Sequence, residues 1–223
     1  VLSHPERAND KDTLIQRVMG HISESKTDEK SLTFSPALCN RLDRNTPGLV
    51  IAAKNYSSLK EVNKMMREKG IVREYLCVVR GVTDKKGEIK SIIGKDKVRR
   101  IGVFETRDNA YGKRAITKYE RLYDNGEYSI LRIQLITGRF HQIRIHLSGV
   151  GYPIVGDPKY GDRKVNDYFL RRYNLAHQFL IAYSLCFENP PSHLIYLKGE
   201  KWKAELPIEF KDIIKDLFGD IKI

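Results

Sequence analysis

Acid is what this sequence has too little of. Asp and Glu number 28 against 40 Lys and Arg, so the 223-residue chain carries a formal net charge of +12 at pH 7. A surplus of that size favours polyanions through counterion release and long-range steering, nucleic acid first and an anionic membrane second. Plain solubility charge is the bland alternative. Cysteine is scarce as well: Cys39, Cys77 and Cys186 are odd in number, far apart and beside apolar residues. Without a C-x-x-C pair or a Cys/His cluster they form neither a disulfide scaffold nor a metal site. Buried free thiols in a reducing cytoplasm are the expected state. No apolar run nears the roughly 18 residues of a membrane span, and no signal-peptide pattern opens the chain. The signatures G-x-x-x-x-G-K-[ST], G-x-G-x-x-G after a strand, H-E-x-x-H and G-x-S-x-G are missing too. Their absence argues against nucleotide-dependent, zincin and α/β-hydrolase chemistry.

What is present is globular: 41% hydrophobic and 30% charged residues, on a chain long enough to bury about 70% of its unfolded surface. Val1 opens it with a loop-like Ser3-His4-Pro5, as expected of a fragment. Asp12 is placed to cap a helix with Leu14, Ile15, Val18 and Ile22 at helical spacing, and residues 23–31 read as an exposed loop. A polar turn over 41–48 feeds the apolar run 49–53, expected as a buried strand. Ser58 and Glu61 make a capping-box pattern before a helix with Leu59, Val62, Met65 and Met66 inward, closed by Gly70. Residues 72–79 predict a strand. Residues 85–114 hold ten Lys or Arg against Glu88, Asp96, Glu105 and Asp108, half of the whole surplus, and glycines break them into short strands and turns.

Residues 115–123 and 128–135 flank Asp124-Asn125-Gly126, a strong hairpin signal, with Ser129, Leu131, Ile133 and Leu135 on one face. Thr137-Gly138 ends that arm. Residues 140–148 read as a helix closed by Gly149, with Ile143 and Leu147 toward the core, and 180–187 as an apolar strand. Pro207 opens a final amphipathic helix with Phe210, Ile213, Ile214 and Leu217 inward. With no internal repeat and no linker, the expectation is one α+β domain over residues 1–223. Its sheet should be mixed, mostly antiparallel and flanked by helices.

Two segments are dense in polar groups. Asp43 lies between Arg41 and Arg44 just before the apolar run. Neighbouring cations favour its ionised form, and such a carboxylate serves as nucleophile, base or electrostatic stabiliser. Taken alone, a turn or cap aspartate is the better explanation. Arg139, His141, Gln142 and Arg144 fall within a few residues at a helix start, which suits anion binding as well as it suits a solvated basic face.

Arg41-Leu42-Asp43-Arg44-Asn45-Thr46-Pro47-Gly48 resembles the R-L-D-x-x-T-S-G motif of the RluA-type RNA pseudouridine synthases. Arg73-Glu74-Tyr75-Leu76 is similar to that family's short tyrosine motif, and residues 137–146 match T-G-R-x-H-Q-I-R-x-H at every fixed position. Gly151-Tyr152-Pro153-Ile154-Val155-Gly156-Asp157-Pro158-Lys159-Tyr160-Gly161, Gly112-Lys113-Arg114-Ala115 and Leu180-Ile181-Ala182 carry the likeness on to the C-terminus. Pro47 replaces the usual Ser, while Asn40 and Ile181 stand where many members have His. The N-K-P-x-G strand and any S4 RNA-binding domain that precede this core in the family are not in the sequence.

The resemblance implies a pseudouridine synthase catalytic domain that breaks the N1–C1′ bond of a uridine, turns the base and rejoins it through C5. It implies no cofactor and no metal. Asp43 then takes the place of the catalytic aspartate, Arg144 of the arginine that pairs with it, and Tyr75 of the tyrosine that packs on the base. Candidate RNA contacts are Arg41, Arg44, Lys95, Lys97, Arg99, Arg100, Lys113, Arg114, Arg139, His141 and Gln142. The expected substrate is RNA, with the Cys-Asn-Arg-Leu-Asp form and the Trp-Lys-Ala-Glu-Leu-Pro stretch leaning toward 23S ribosomal RNA over transfer RNA. A cytoplasmic monomer without membrane association is the default. The rivals are a non-catalytic RNA-binding or ribosome-assembly module and an RNA glycosidase or nuclease. Glycoside hydrolysis usually needs a second carboxylate, and the Asp43 motif has none.

Overall fold

Asn125-Gly126 turns the chain as its composition predicts. Gly126 takes φ +87°, and Asn125 Oδ1 accepts from the amides of Glu127 and Tyr128. The hairpin arms are β6 (Lys113–Asp124) and β7 (Tyr128–Leu135) in the computed structural model, which describes residues 12–24, 34–96, 101–105 and 112–223. β3 (Ile71–Arg80) pairs with β7, β4 (Lys86–Asp96) with β6, and β5 (Ile101–Glu105) with β4, all antiparallel. With β8 (Leu180–Phe187) and β9 (Lys201–Lys203) the sheet order is β5-β4-β6-β7-β3-β8-β9. The fold is α+β and its sheet mostly antiparallel, as the sequence leads one to expect.

The chain divides into two compact units, one of Val1–Asn45, Leu49–Val72 and Leu185–Trp202, the other of Thr46–Gly48, Arg73–Ser184 and Lys203–Ile223. The first holds α1 (Leu14–Glu24), a two-stranded sheet of β1 (Ala37–Leu38) and β2 (Ala52–Ala53), and α2 (Tyr56–Arg67). Val62 and Met65 of α2 pack with Ile71, Leu185 and Phe187, and Cys39, Leu49, Ile51, Met66 and Leu197 close around them.

Several local details differ from what the sequence predicts. Asp12 does not cap α1; it pairs with Arg17 at 2.7 Å, and Gln16 Oε1 reaches back to the amide and hydroxyl of Thr13 instead. Ser23 is still helical, and residues 25–31 lie outside the described residues. The run 49–53 makes only the two-residue β2, because the Asn40 side chain takes the Ile51 amide at 2.8 Å. Asn55, not Ser58, caps α2, its Oδ1 accepting from the Ser58 amide. The left-handed residue that ends α2 is Lys69 (φ 61°), and Gly70 follows with its N–H on Met65 O.

In the second unit, cross-strand partners share a face. Tyr75, Ile133, Thr117, Ala115 and Ser91 fall on one face, since Tyr75 opposes Ile133, Tyr119 opposes Ile133, and Ser91 opposes Ala115. α3 (Gln142–Gly149) lies across it, with Ile145 packed on Ile93 and Ala115. On the opposite face Glu88 pairs with Lys90 and Glu120 with Arg132, exposed pairs that add little stability. Further along that face, Phe169 of α4 (Arg163–Tyr173) meets Tyr128 edge-on at 5.3 Å. Covered on both sides, β7 therefore buries Tyr128 and Ile130 together with Ser129, Leu131 and Ile133, not one alternating face.

α4 is a helix absent from the sequence-based expectations. Its signal is Asp162, whose carboxylate accepts from the Val165 amide, ahead of Val165 and Phe169 at i,i+4 spacing. α5 (Ile208–Phe218) forms as expected behind Pro207, its Phe210 stacked on Phe179 at 3.8 Å.

Candidate active site

The sequence predicts a core-facing stripe on α3, yet residues 142–147 are all buried. The N-terminus of α3 is fixed by Gln142, whose Oε1 accepts from Thr137 Oγ1 (2.7 Å) and the Arg139 amide (3.0 Å). Gln142 Nε2 donates to Ile116 O (3.0 Å) and Thr117 Oγ1 (2.9 Å). All four hydrogen-bonding positions of a 2% exposed amide are thus occupied by the protein. Gln142 is therefore a brace that shapes the 137–141 loop, with no hydrogen-bonding position of its amide left over for RNA. His141 sits in left-handed backbone (φ 49°), stacked on Phe140 at 3.7 Å, with Nδ1 2.9 Å from the Tyr160 hydroxyl.

Arg144 points into the interior, 4% exposed. Its Nε and Nη2 lie 2.7 and 2.8 Å from the two carboxylate oxygens of Asp157, a fork-to-fork pair in a fully buried setting. Tyr160 covers the guanidinium with its ring 5.1 Å away, and its hydroxyl accepts the Gly102 amide at 2.9 Å. Asp157 is itself held by the amides of Lys159 and Tyr160, while Asn166 takes the Gly156 amide and donates to Asp157 O. The sequence does not mark Asp157 as a site residue, although Gly156-Asp157-Pro158 stands within a matching motif. Nothing in that motif says which distant cation a buried aspartate will hold.

His146, one turn beyond Gln142 on the same helix, is buried with Nε2 2.9 Å from Ser91 Oγ. Burial pulls its pKa down to about 4, so the imidazole is neutral at pH 7.

Tyr75 lies on β3, 7% exposed, on the sheet face that α3 covers. The next residue back, Glu74, turns to the other face and accepts from Ser184 Oγ at 2.6 Å. Asp43 is half-buried in the first unit, on the irregular segment before a turn in which Asn45 takes φ 62°; Arg41 and Arg44 on either side are exposed. Thr46, Pro47 and Gly48 of that motif belong to the second unit. Gln178 Nε2 donates to Thr46 Oγ1 at 2.9 Å, Ala182 N–H donates to Pro47 O, and a Cβ on Gly48 would stand 2.2 Å from Ala182 O.

Among the expected phosphate contacts, Lys113, Arg114 and Arg139 are exposed and gathered, because Arg139 Nε donates to Arg114 O at 3.0 Å. Lys95 adds its backbone to β4, but its side chain lies outside the described residues, as do Lys97, Arg99 and Arg100 altogether. The three cysteines are free; Cys77 is fully buried, and burial raises its thiol pKa. Among the described residues no His/Cys/Asp/Glu group suits a metal ion, and no helix is long and apolar enough to cross a membrane.

The family described as RNA pseudouridylate synthase matches residues 2–149. The ribosomal large subunit pseudouridine synthase D of Borreliella burgdorferi is 35% identical over 162 residues, covering 72% of this chain and 49% of that protein. An uncharacterized RNA pseudouridine synthase of Bacillus subtilis is 33% identical over 219 residues, covering 96% and 66%. The chain thus spans about half to two thirds of the length of these relatives. The solved structure of human RNA pseudouridylate synthase domain containing 4 superposes with a TM-score of 0.75 at 22% identity, over 97% of this chain and 86% of that one, which shows a shared fold. With its family match extending over well more than half its length, the chain belongs to the RNA pseudouridylate synthase family.

Proposed function

We propose that this chain isomerises uridine to pseudouridine in RNA, with large-subunit ribosomal RNA of the 23S class as substrate. The observation that carries the reading is the buried Arg144–Asp157 fork on a helix laid over the sheet face that bears Tyr75. A guanidinium fixed so rigidly is an expensive feature for a fold to keep without a use. Relatives named ribosomal large subunit pseudouridine synthases D and C support the ribosomal substrate.

In this reading Asp43 supplies the catalytic carboxylate, Arg144 the cation that the family sets against it, and Tyr75 an aromatic face for the base. The N1–C1′ bond breaks, the uracil turns, and C1′ bonds to C5. C5 gives up its proton and N1 ends with one, so composition is unchanged and no electrons enter or leave. Asp43 acts either as nucleophile or as base on the ribose, and both roles need it ionised. The uridine must leave its stack to be reached, which is cheapest in unpaired RNA. Stacking on Tyr75 contributes about 1–3 kcal/mol toward holding it there. Lys113, Arg114 and Arg139 position the backbone without choosing the base. The protein works in the cytoplasm as a monomer.

Incubation with unmodified 23S and transfer RNA transcripts, followed by digestion to nucleosides, tests the proposal. Pseudouridine in full-length 23S RNA supports it. Free uracil points to a glycosidase, shortened RNA to a nuclease, and bound but unaltered RNA to a binding module; each would overturn it. Product in the transfer RNA alone would correct the substrate.

A further inference from the structure

Among the described residues, Arg73 is a cation without a counterpart. It is half-buried on β3, and its Nε is shielded from solvent with no hydrogen-bond partner among the described residues. Among the described residues no ion pair holds it, and neighbouring Glu74 is turned to the opposite face, on Ser184. Strand alternation puts Arg73 on the same face as Tyr75. Both terminal nitrogens of its guanidinium stand 3.8 Å from where a Cβ on Gly138 would be, so the side chain lies against the loop that precedes α3. From Gly138 the chain passes directly to Arg139, whose Nε rests on Arg114 O, beside Lys113. Arg73 is therefore the inner end of a cationic row that leads outward to Arg139, Arg114 and Lys113.

A partly desolvated guanidinium that lacks a carboxylate is costly in the free protein, and an anion of matching geometry removes that cost. Phosphate fits the planar fork, carries the full charge that a base carbonyl lacks, and recurs along RNA at the spacing that a row of cations reads. Resting on the RNA-modifying reading above, we infer that Arg73 binds a phosphate of the RNA at or next to the uridine presented to Tyr75. It is a substrate-binding residue, distinct from the outer cations by its place on the catalytic face of the sheet.

The test is RNA affinity as a function of KCl, using a 23S transcript and protein carrying Asp43→Ala to stop turnover. Arg73→Gln and Arg73→Lys are added in turn. Losing one phosphate contact should flatten the slope of log K against log salt by about 0.7–0.9 and weaken binding about tenfold in Arg73→Gln. Arg73→Lys should keep the slope, and matching thermal unfolding shows that the comparison is between folded proteins. An unchanged slope in Arg73→Gln, with the fold intact, would overturn the assignment. So would a slope lost equally in both variants. Pseudouridine formation is followed separately with Asp43 intact: its absence would sink the proposed activity while the salt slope still reports on Arg73.

Discussion

Asp157 and Arg144 face each other through two hydrogen bonds of 2.7 and 2.8 Å, and neither side chain is open to solvent. A buried pair of this kind owes its stability to being complete, since removing one member strands the other charge in a medium that cannot solvate it.

Asp157→Ala should therefore cost about 3–5 kcal/mol, read as a lower urea midpoint with an unchanged m-value. The double replacement Arg144→Met with Asp157→Leu should recover much of that stability and none of the activity. Full activity in Asp157→Ala would show that the fork is dispensable.

Gly48 and Gly126 both have positive φ, +121° and +87°, but differ in what a side chain would meet. A Cβ on Gly48 would stand 2.2 Å from the backbone oxygen of Ala182, whereas one on Gly126 would meet nothing within 4 Å. Gly126→Ala should cost about 1 kcal/mol through conformation alone, and Gly48→Ala at least about 2 kcal/mol. Only Gly48→Ala should also lower activity, because it displaces the end of the segment that bears Asp43. Thermal melts and single-turnover rates on the two variants check both statements.

His146 ties acid stability to the seat of α3. Its folded pKa of about 4 lies below the ordinary 6.5, so between those values the unfolded chain binds more protons than the folded one. The His146 contribution to stability should thus fall as pH drops from about 6.5 toward 4 and level off below. Urea unfolding at pH 7, 6, 5 and 4 should show this decline in the parent, and a shallower one in His146→Gln. Equal declines would place the acid sensitivity elsewhere.

Replacing Lys113, Arg114 and Arg139 together by Gln should flatten the salt dependence of RNA binding by about two to three, at 0.7–0.9 for each phosphate lost. Melting should change little, because all three side chains are exposed. A full slope in the triple variant would move the outer footprint away from the start of β6.

The strands and hairpin are legible in the sequence because their signals are local: Asn125-Gly126 fixes a turn, and residues 72–79 or 180–187 are too apolar to lie elsewhere. Where several residues compete for one role, the signal blurs. Thr13 with Gln16 displaces Asp12 at the start of α1, and Asn55 displaces Ser58 at the start of α2, each a choice among neighbouring polar residues that compete for the same helix start. α4 is hard to read because only Val165 and Phe169 mark its inner face among many charges. Tyr75, Arg144 and Asp43 stand out by motif. Their surroundings do not: Asp157 on Arg144, Gln142 as a brace and the unpartnered Nε of Arg73 follow from contacts distant in sequence, which no periodicity encodes.

Rearrangement of a uridine in RNA driven by Asp43 is tested most directly by release of tritium from C5 of uridine in a 23S transcript, by the parent protein and by Asp43→Ala. The account predicts tritium release by the parent, and near-complete loss of it in Asp43→Ala with RNA binding retained. Substantial release by Asp43→Ala would contradict it.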